Sequence, residues 1–491
     1  MTASAFDRLY RRPLSLLTDL YQVTMALGHF RRPDRDLEAV FHLFFRENPF
    51  RGGFALACGL ESAVAYLERL RFERDDLDYL ARLSGSDDRP LFPDDFLSYL
   101  SGWRFRGDVD AVPEGTVVFA HEPLVRVAGP ILDAQLVETA LLNLVNFPTL
   151  IATKAARLAI AAEGQEVVEF GLRRAQGIDG GVTASRAAYV GGCAGTSNLL
   201  AAELFGIPAR GTHAHSWVSS FESEEEAFRA YAAVQPGNCV LLVDTYDTLE
   251  GVRRAARVGL EMRARGARLA GIRLDSGDLA YLSIEARRIL DQAGLPEVEI
   301  LASNNLDEHL VESLRLQGSR IDVWCVGTAL ATAEDDPALG GVYKLGAIRR
   351  PGGEWRPRLK LSEQTAKSTT PGVLGVRRFR RGDGSLVADM IWDHTLGISD
   401  PPEIVDPADP FRHRRLPGDA HGAELLEPAV RSGRTVMRFP ALAAVREKAR
   451  GEVAALHPAI RRFLNPHAYP VGLERGLHAA RARAIEAARA L

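Results

Sequence analysis

Short apolar runs separated by amphipathic stretches dominate the middle of the chain. The runs Val167–Phe170, Cys239–Asp244, Leu269–Leu274, Val298–Ala302 and Ile321–Val326 alternate with segments of helical spacing at Leu249–Arg265, Leu279–Ala293 and Leu306–Gln317. Recurrence at roughly thirty residues matches one strand, its crossover helix and the next parallel strand. The pattern predicts an α/β fold containing an irregular (β/α) barrel of about six or seven parallel strands, with an open doubly wound sheet as the alternative.

The flanks read differently. Leu16–Phe30 and Leu60–Leu70 have helical spacing, Val40–Phe45 reads as a strand, and Thr116–Ala120 with Leu124–Val127 reads as a small sheet or hairpin. After Gly341 the runs Val342–Ile348, Arg358–Leu361 and Val376–Phe379 lie between Pro and Gly clusters, as in a β-rich return to the first domain. Leu473–Leu491 closes the chain as an Ala- and Arg-rich helix. The expected division is therefore an α+β domain over 1–150, a barrel over 151–340, and a returning segment with a helical tail over 341–491. The basic runs Arg377–Arg381 and Arg412–Arg415 read as solvated surface.

Ala134–Ala162 is the longest hydrophobic stretch, yet it carries Glu138, Asn143, Asn146, Pro148, Lys154 and Arg157. That polarity argues against a membrane span and for a buried helix pair broken near Pro148. Met1–Arg12 lacks an apolar core followed by a small-residue cleavage site, so a cytoplasmic protein is expected.

Composition narrows the classes. A chain of 491 residues exceeds one ordinary core, so at least two domains are expected. Sixty Lys and Arg against 64 Asp and Glu give no basic field of the kind nucleic-acid binders use. Any anion site must be local. Cys58, Cys193, Cys239 and Cys325 form no C-x-x-C pair and read as buried thiols.

The candidate chemistry sits where the apolar runs end. Phe170 is followed by Gly171-Leu172-Arg173-Arg174, a second run leads to Gly211-Thr212-His213-Ala214-His215-Ser216, and a third to Arg273-Leu274-Asp275-Ser276-Gly277-Asp278. In parallel α/β folds the carboxyl ends of the strands converge on one face. An arginine fork matches a carboxylate or phosphate in two charge-assisted bonds, so Arg173 and Arg273 point to a substrate anion unless they pair with strand-end carboxylates. His213 and His215 would share a side of an extended segment; a zinc pair lacks a third ligand, and core histidine and acid, base or nucleophile remain open. Asp275 and Asp278 fit a magnesium diphosphate site, while a helix N-cap is the plainer reading of the same residues. Gly327-Thr328 ends another run, and backbone N–H groups there can cradle phosphate. Leu241–Thr248 reads as a strand followed by a capped helix.

Taken in order, these motifs resemble the nicotinate phosphoribosyltransferase family. The matching stretches are Leu17–Gln22, Asn48-Pro49-Phe50, Gly171–Gly177, Gly211-Thr212 with His215-Ser216, Leu242–Thr248, Arg273–Asp278, Ser303-Asn304-Asn305 and Gly341–Leu345. The resemblance runs from about residue 14 to about residue 375, and the tail beyond about Asp383 is left unassigned. It implies a reaction of nicotinate with 5-phosphoribosyl 1-diphosphate, coupled to ATP hydrolysis through a phosphohistidine matched to His215, with Mg²⁺ as cofactor. Tyr21, Thr212 and Arg273 match nicotinate contacts, and Thr328 matches a phosphoribosyl diphosphate contact. Phe170 and Arg173 join the nicotinate set, and Gly327, Ser303 and Asn304 the diphosphate set. Asp275 is the second catalytic candidate, and with Asp278 the metal candidate. A homodimer is implied, with Tyr21 supplied by the partner subunit and no nucleic-acid or membrane partner. Nicotinamide or quinolinate as the base stay open, as does a barrel lyase, aldolase or inert binding barrel; Lys344 is the nearest candidate for a Schiff-base lysine.

Overall fold

The computed structural model describes residues 6, 9, 10, 12–361, 369–407, 409 and 411–489. Met1–Arg12 therefore lies largely outside the described residues. The chain forms two compact units: residues 1–150 with 338–491, and residues 151–337.

In the first unit, Glu38–Phe45 is an interior strand of a seven-stranded antiparallel sheet. Val125–Pro130 pairs along one side, and Gly341–Arg349, from three hundred residues later, pairs along the other. Lys344 lies on that returning strand, opposite His42. Both expected β runs form strands, but they pair with other partners and not with each other: Val117–Val118 pairs with Ala55–Leu56 in a small two-stranded sheet, while Val125–Pro130 joins the large one. A further six-stranded sheet contains Leu374–Arg380 and Leu386–Asp393. The final helix, Arg475–Arg489, buries Leu477 and Arg481.

Two expectations for this region are corrected. Arg378 is buried rather than solvated, because it donates to both oxygens of Asp389 and ion-pairs with Glu452 at 3.1 Å. Alternation along the strand turns it inward, and a buried guanidinium persists only with such partners. Nor does Pro148 break a helix: one continuous helix spans Glu138–Ala161. Pro148 leaves the carbonyl four residues earlier without its usual donor, and at that point Gly59 packs close. A Cβ on Gly59 would lie 2.1 Å from the Leu144 oxygen, and its φ of +101° suits glycine. Among the described residues no helix is long and apolar enough to cross a membrane.

The second unit is the α/β one. Its strands are β1 (Glu166–Glu169), β2 (Gly195–Thr196), β3 (Cys239–Leu242), β4 (Leu269–Leu274), β5 (Glu299–Ala302) and β6 (Val323–Val326). They form one parallel sheet in the order β2-β1-β6-β5-β4-β3. The runs are mostly apolar because both faces are covered: β3 and β6 are buried at every position. The sheet curls as a half-barrel instead of closing by hydrogen bonds, since β2 and β3 are its two edges. Pro208, in the run that leads to Gly211, has no N–H to donate. Only a single bridge, Thr196 to Ala209, forms there.

Helices follow three strands with the same start signal. Asp247, Asp278 and Asp307 each accept from the backbone N–H three residues on, capping Thr248–Ala264, Leu279–Gln292 and Glu308–Leu316. Beneath them, Lys154 and Arg157 of the long helix each lie 2.7 Å from the buried Glu308 carboxylate.

Candidate active site

Five adjacent strands, β1, β6, β5, β4 and β3, bring their carboxyl ends to one edge. Beyond β4 stands Asp275, beyond β3 stand Asp244 and Thr245, and beyond β5 stands Ser303. Asp244 Oδ2 accepts the Asp275 N–H at 2.9 Å and the Ser276 hydroxyl at 2.6 Å. Ser303 donates its hydroxyl to Asp275 Oδ1. Asp275 is thus fixed from two neighbouring strands, its backbone by Asp244 and its carboxylate Oδ1 by Ser303.

His215 completes the group. It opens a short helix, His215–Ser219, and its Nδ1 lies 3.1 Å from Thr245 Oγ1. Its Nε2 faces Asp275 Oδ2 at 3.6 Å and Asp244 Oδ1 at 3.9 Å, with the imidazole 42% exposed. Asp244 Oδ1 is buried and has no hydrogen-bond partner. A half-open imidazole beside two ordered carboxylates can be protonated, or can present a nucleophilic nitrogen to an approaching electrophile.

His213 and His215 part company, contrary to the shared-face expectation. The turn into the helix at Ala214 directs His213 inward, where it meets Tyr231 with centroids 4.7 Å apart, and its Nε2 accepts the Leu242 N–H at 3.1 Å. Burial pushes its pKa down from 6.5 to about 4. This is the core-histidine outcome. Among the described residues no three His, Cys, Asp or Glu gather as a metal set.

The anion candidates fall in different settings. Arg273, near the end of β4, is half-buried, and its Nε is buried without a hydrogen-bond partner. An orphaned guanidinium nitrogen at a strand end is an open seat for an acceptor. Arg173 and Arg174 stand exposed on the turn Leu172–Arg174 after β1. Phe170, half-buried, pairs its N–H with the Val326 carbonyl, which ties the ends of β1 and β6 together. Gly171 allows that approach: a Cβ there would sit 2.4 Å from Ala331 Cβ.

The remaining candidates are placed as follows. Thr212 donates its hydroxyl to the Val240 carbonyl at 2.5 Å, against β3. Ser303 is buried with its hydroxyl committed to Asp275, so it acts on that carboxylate. Asn304 and Asn305 follow in left-handed conformations, φ 97° and 43°, at an exposed turn. Gly327 precedes the single turn Thr328–Ala331. Asp278 is the N-cap, accepting from Tyr281 N–H at 3.1 Å. Tyr21 is 49% exposed on the helix Leu20–Arg31 of the first unit.

Asp244, Thr245 and Glu169 were not singled out as site residues from sequence. Asp244 carried the same signal as Asp275, an acid directly after an apolar run, but the cap at Asp247 accounted for that segment. Glu169, buried at the end of β1, accepts from Gly171 N–H and from the hydroxyls of Ser185 and Thr196, and so braces the Phe170–Arg174 turn. All four cysteines are buried and outside any disulfide, and burial raises the Cys239 and Cys325 thiols to about 12, far from a reactive thiolate.

Comparison with known proteins fixes the family. Residues 16–146 match the nicotinate phosphoribosyltransferase N-terminal domain model and residues 375–481 the C-terminal domain model. A nicotinate phosphoribosyltransferase of Bacillus subtilis is 40% identical over 466 residues, covering 94% of this chain and 93% of that protein. The chain belongs to the nicotinate phosphoribosyltransferase family. A human relative of the same description is 36% identical across 96% of each chain. The crystal structure of human nicotinic acid phosphoribosyltransferase superposes with a TM-score of 0.82 at 34% identity, covering 95% of this chain and 99% of that one. The segment after Asp383, unassigned from motifs, therefore lies inside the family's C-terminal domain. It escaped motif reading because its strands carry packing residues such as Val387, Met390 and Ile391 rather than site chemistry.

Proposed function

We propose that the protein is a nicotinate phosphoribosyltransferase, converting nicotinate and 5-phosphoribosyl 1-diphosphate to nicotinate mononucleotide and diphosphate in the salvage of nicotinate for NAD. The observation that carries this reading is the orphaned Arg273 nitrogen on the strand that also carries Asp275, beside His215.

Arg273 neutralises the nicotinate carboxylate and orients the ring, whose face Phe170 or Tyr21 covers. The pyridine nitrogen then attacks the anomeric carbon as the C–O bond to diphosphate breaks, and the leaving group takes the bonding pair. Positive character grows on the ribose, and Asp275, held by Ser303 and the Asp244 scaffold, is ordered to oppose it without reorganising. Arg173, Asn304, Gly327 and Thr328, at the ends of β1, β5 and β6, are assigned to the anionic parts of the substrates.

A Mg²⁺ ion suits this donor set, since it is usually held by one or two carboxylates plus substrate phosphates and needs no protein cage. Asp275 is the first choice of ligand and Asp278 the second, the latter already accepting a cap bond. When bound, the ion neutralises charge developing on the departing diphosphate.

ATP coupling is assigned to His215, whose Nε2 receives the γ-phosphoryl group. A phosphoimidazole adds about two negative charges beside Asp244 and Asp275, which gives it leverage over substrate binding. A homodimer in which Tyr21 reaches the partner's pocket, and a cytoplasmic location, belong to the same proposal; the exposure of Tyr21 is compatible with it.

The test is direct. Purified protein supplied with nicotinate, phosphoribosyl diphosphate and Mg²⁺ should form labelled nicotinate mononucleotide, faster with ATP. Turnover of nicotinamide or quinolinate in place of nicotinate would overturn the substrate assignment.

A further inference from the structure

We infer that Thr245 is a positioning residue that controls which ring nitrogen of His215 carries the proton, a role that rests on the phosphohistidine reading above. The Thr245 hydroxyl is the group at Nδ1, 3.1 Å away, while Nε2 looks toward Asp275 Oδ2 at 3.6 Å and Asp244 Oδ1 at 3.9 Å.

Two neutral forms of the ring compete. With the proton on Nε2, the N–H dipole points at two carboxylate oxygens and Thr245 donates its hydroxyl to Nδ1. With the proton on Nδ1, the ring donates to Thr245 Oγ1 and Nε2 carries its lone pair on the edge that faces Asp275 Oδ2 and Asp244 Oδ1. Only this second form is nucleophilic at Nε2.

A hydroxyl serves both arrangements, since it donates to Nδ1 in the first and accepts from Nδ1–H in the second. A carboxylate in its place would favour Nδ1–H permanently, and an aliphatic group would leave Nδ1–H without an acceptor. Threonine therefore keeps the nucleophilic form within reach without fixing it.

The transfer balances with a nucleoside triphosphate as co-reactant. The Nε2 lone pair forms the bond to the γ-phosphorus as the bond from that phosphorus to the β,γ-bridging oxygen breaks. The diphosphate product leaves with that electron pair. The proton remains on Nδ1, pointing at Thr245 Oγ1, and the ring's positive charge is held there until Nδ1–H is lost to solvent.

The experiment is single-turnover labelling of the full-length protein with γ-³²P ATP, comparing the unaltered protein, Thr245→Val, Thr245→Ser and His215→Gln. The expected result is acid-labile label on the unaltered protein and none on His215→Gln. Thr245→Val should label on the order of tenfold to a hundredfold more slowly, the range for misplacing one acid–base group. The ATP concentration giving half-maximal rate should be unchanged in Thr245→Val, and Thr245→Ser should restore the rate. Absence of label from the unaltered protein would overturn the phosphohistidine reading and this role with it. Label on the unaltered protein with Thr245→Val equally fast, or Thr245→Ser as slow as Thr245→Val, would overturn the role of Thr245 alone.

Discussion

Asp244 accepts the backbone N–H of Asp275 at 2.9 Å, so the catalytic candidate on one strand is held in place by an acid on the next. The same Asp244 keeps its other oxygen buried and unpartnered beside His215. Replacing Asp244 by Ala would strip acceptors from the Asp275 N–H and the Ser276 hydroxyl at once. The expected loss is about 1–3 kcal/mol of stability for an unsatisfied donor, with a fall in kcat that exceeds any change in nicotinate KM. Thermal melting and steady-state kinetics check this, and an unchanged kcat would confine Asp244 to folding.

Arg273→Ala should raise the nicotinate KM by about one to two powers of ten, the scale of one charge-assisted contact sheltered from water. Steady-state kinetics with nicotinate as the varied substrate is the check. An unaltered KM would mean that the orphaned Nε does not meet the carboxylate.

His215→Ala should bring the rate of synthesis with ATP down to the rate without it. ATP stimulation that persists in this variant would move the phosphoryl acceptor elsewhere.

His213 makes a pH prediction whose sign follows from its buried neutral ring. Its folded pKa is pushed down to about 4 from 6.5, so between those values the unfolded chain binds a proton that the folded chain refuses. Stability is therefore lost as pH falls through that window, with a slope from this group approaching about 1.4 kcal/mol per pH unit. Urea unfolding across the window should show a shallower dependence in His213→Gln, and equal slopes would contradict the account.

Glu308→Ala should cost about 1–3 kcal/mol, because it removes the buried carboxylate that Lys154 and Arg157 share, while Lys154 keeps Asp335 at 2.7 Å. Burial alone would raise the Glu308 pKa, but Lys154 and Arg157 together hold it below the usual 4.5. This contribution is present above the unfolded pKa and disappears as pH falls through the depressed folded value. Acid unfolding monitored by circular dichroism should begin at higher pH in the variant; coincident curves would refute this.

The chain's own order of residues determined the parallel strands, their helices and the acidic caps, because each depends on local pattern: buried strands are mostly apolar, and Asp247, Asp278 and Asp307 satisfy backbone N–H groups three residues away. Arg273 and Asp275 stood out in the same way, as charged groups at the end of an apolar run, and His215 as a titratable group at the start of a short helix. Tertiary structure decided what distant segments do to one another. The inward turn of His213, the continuity of the helix through Pro148, the burial of Arg378 and the grip of Asp244, Thr245 and Ser303 on Asp275 and His215 all depend on partners tens to hundreds of residues away. Such a contact leaves no periodicity in the sequence, since its energy comes from desolvated groups meeting only after the sheet has curled.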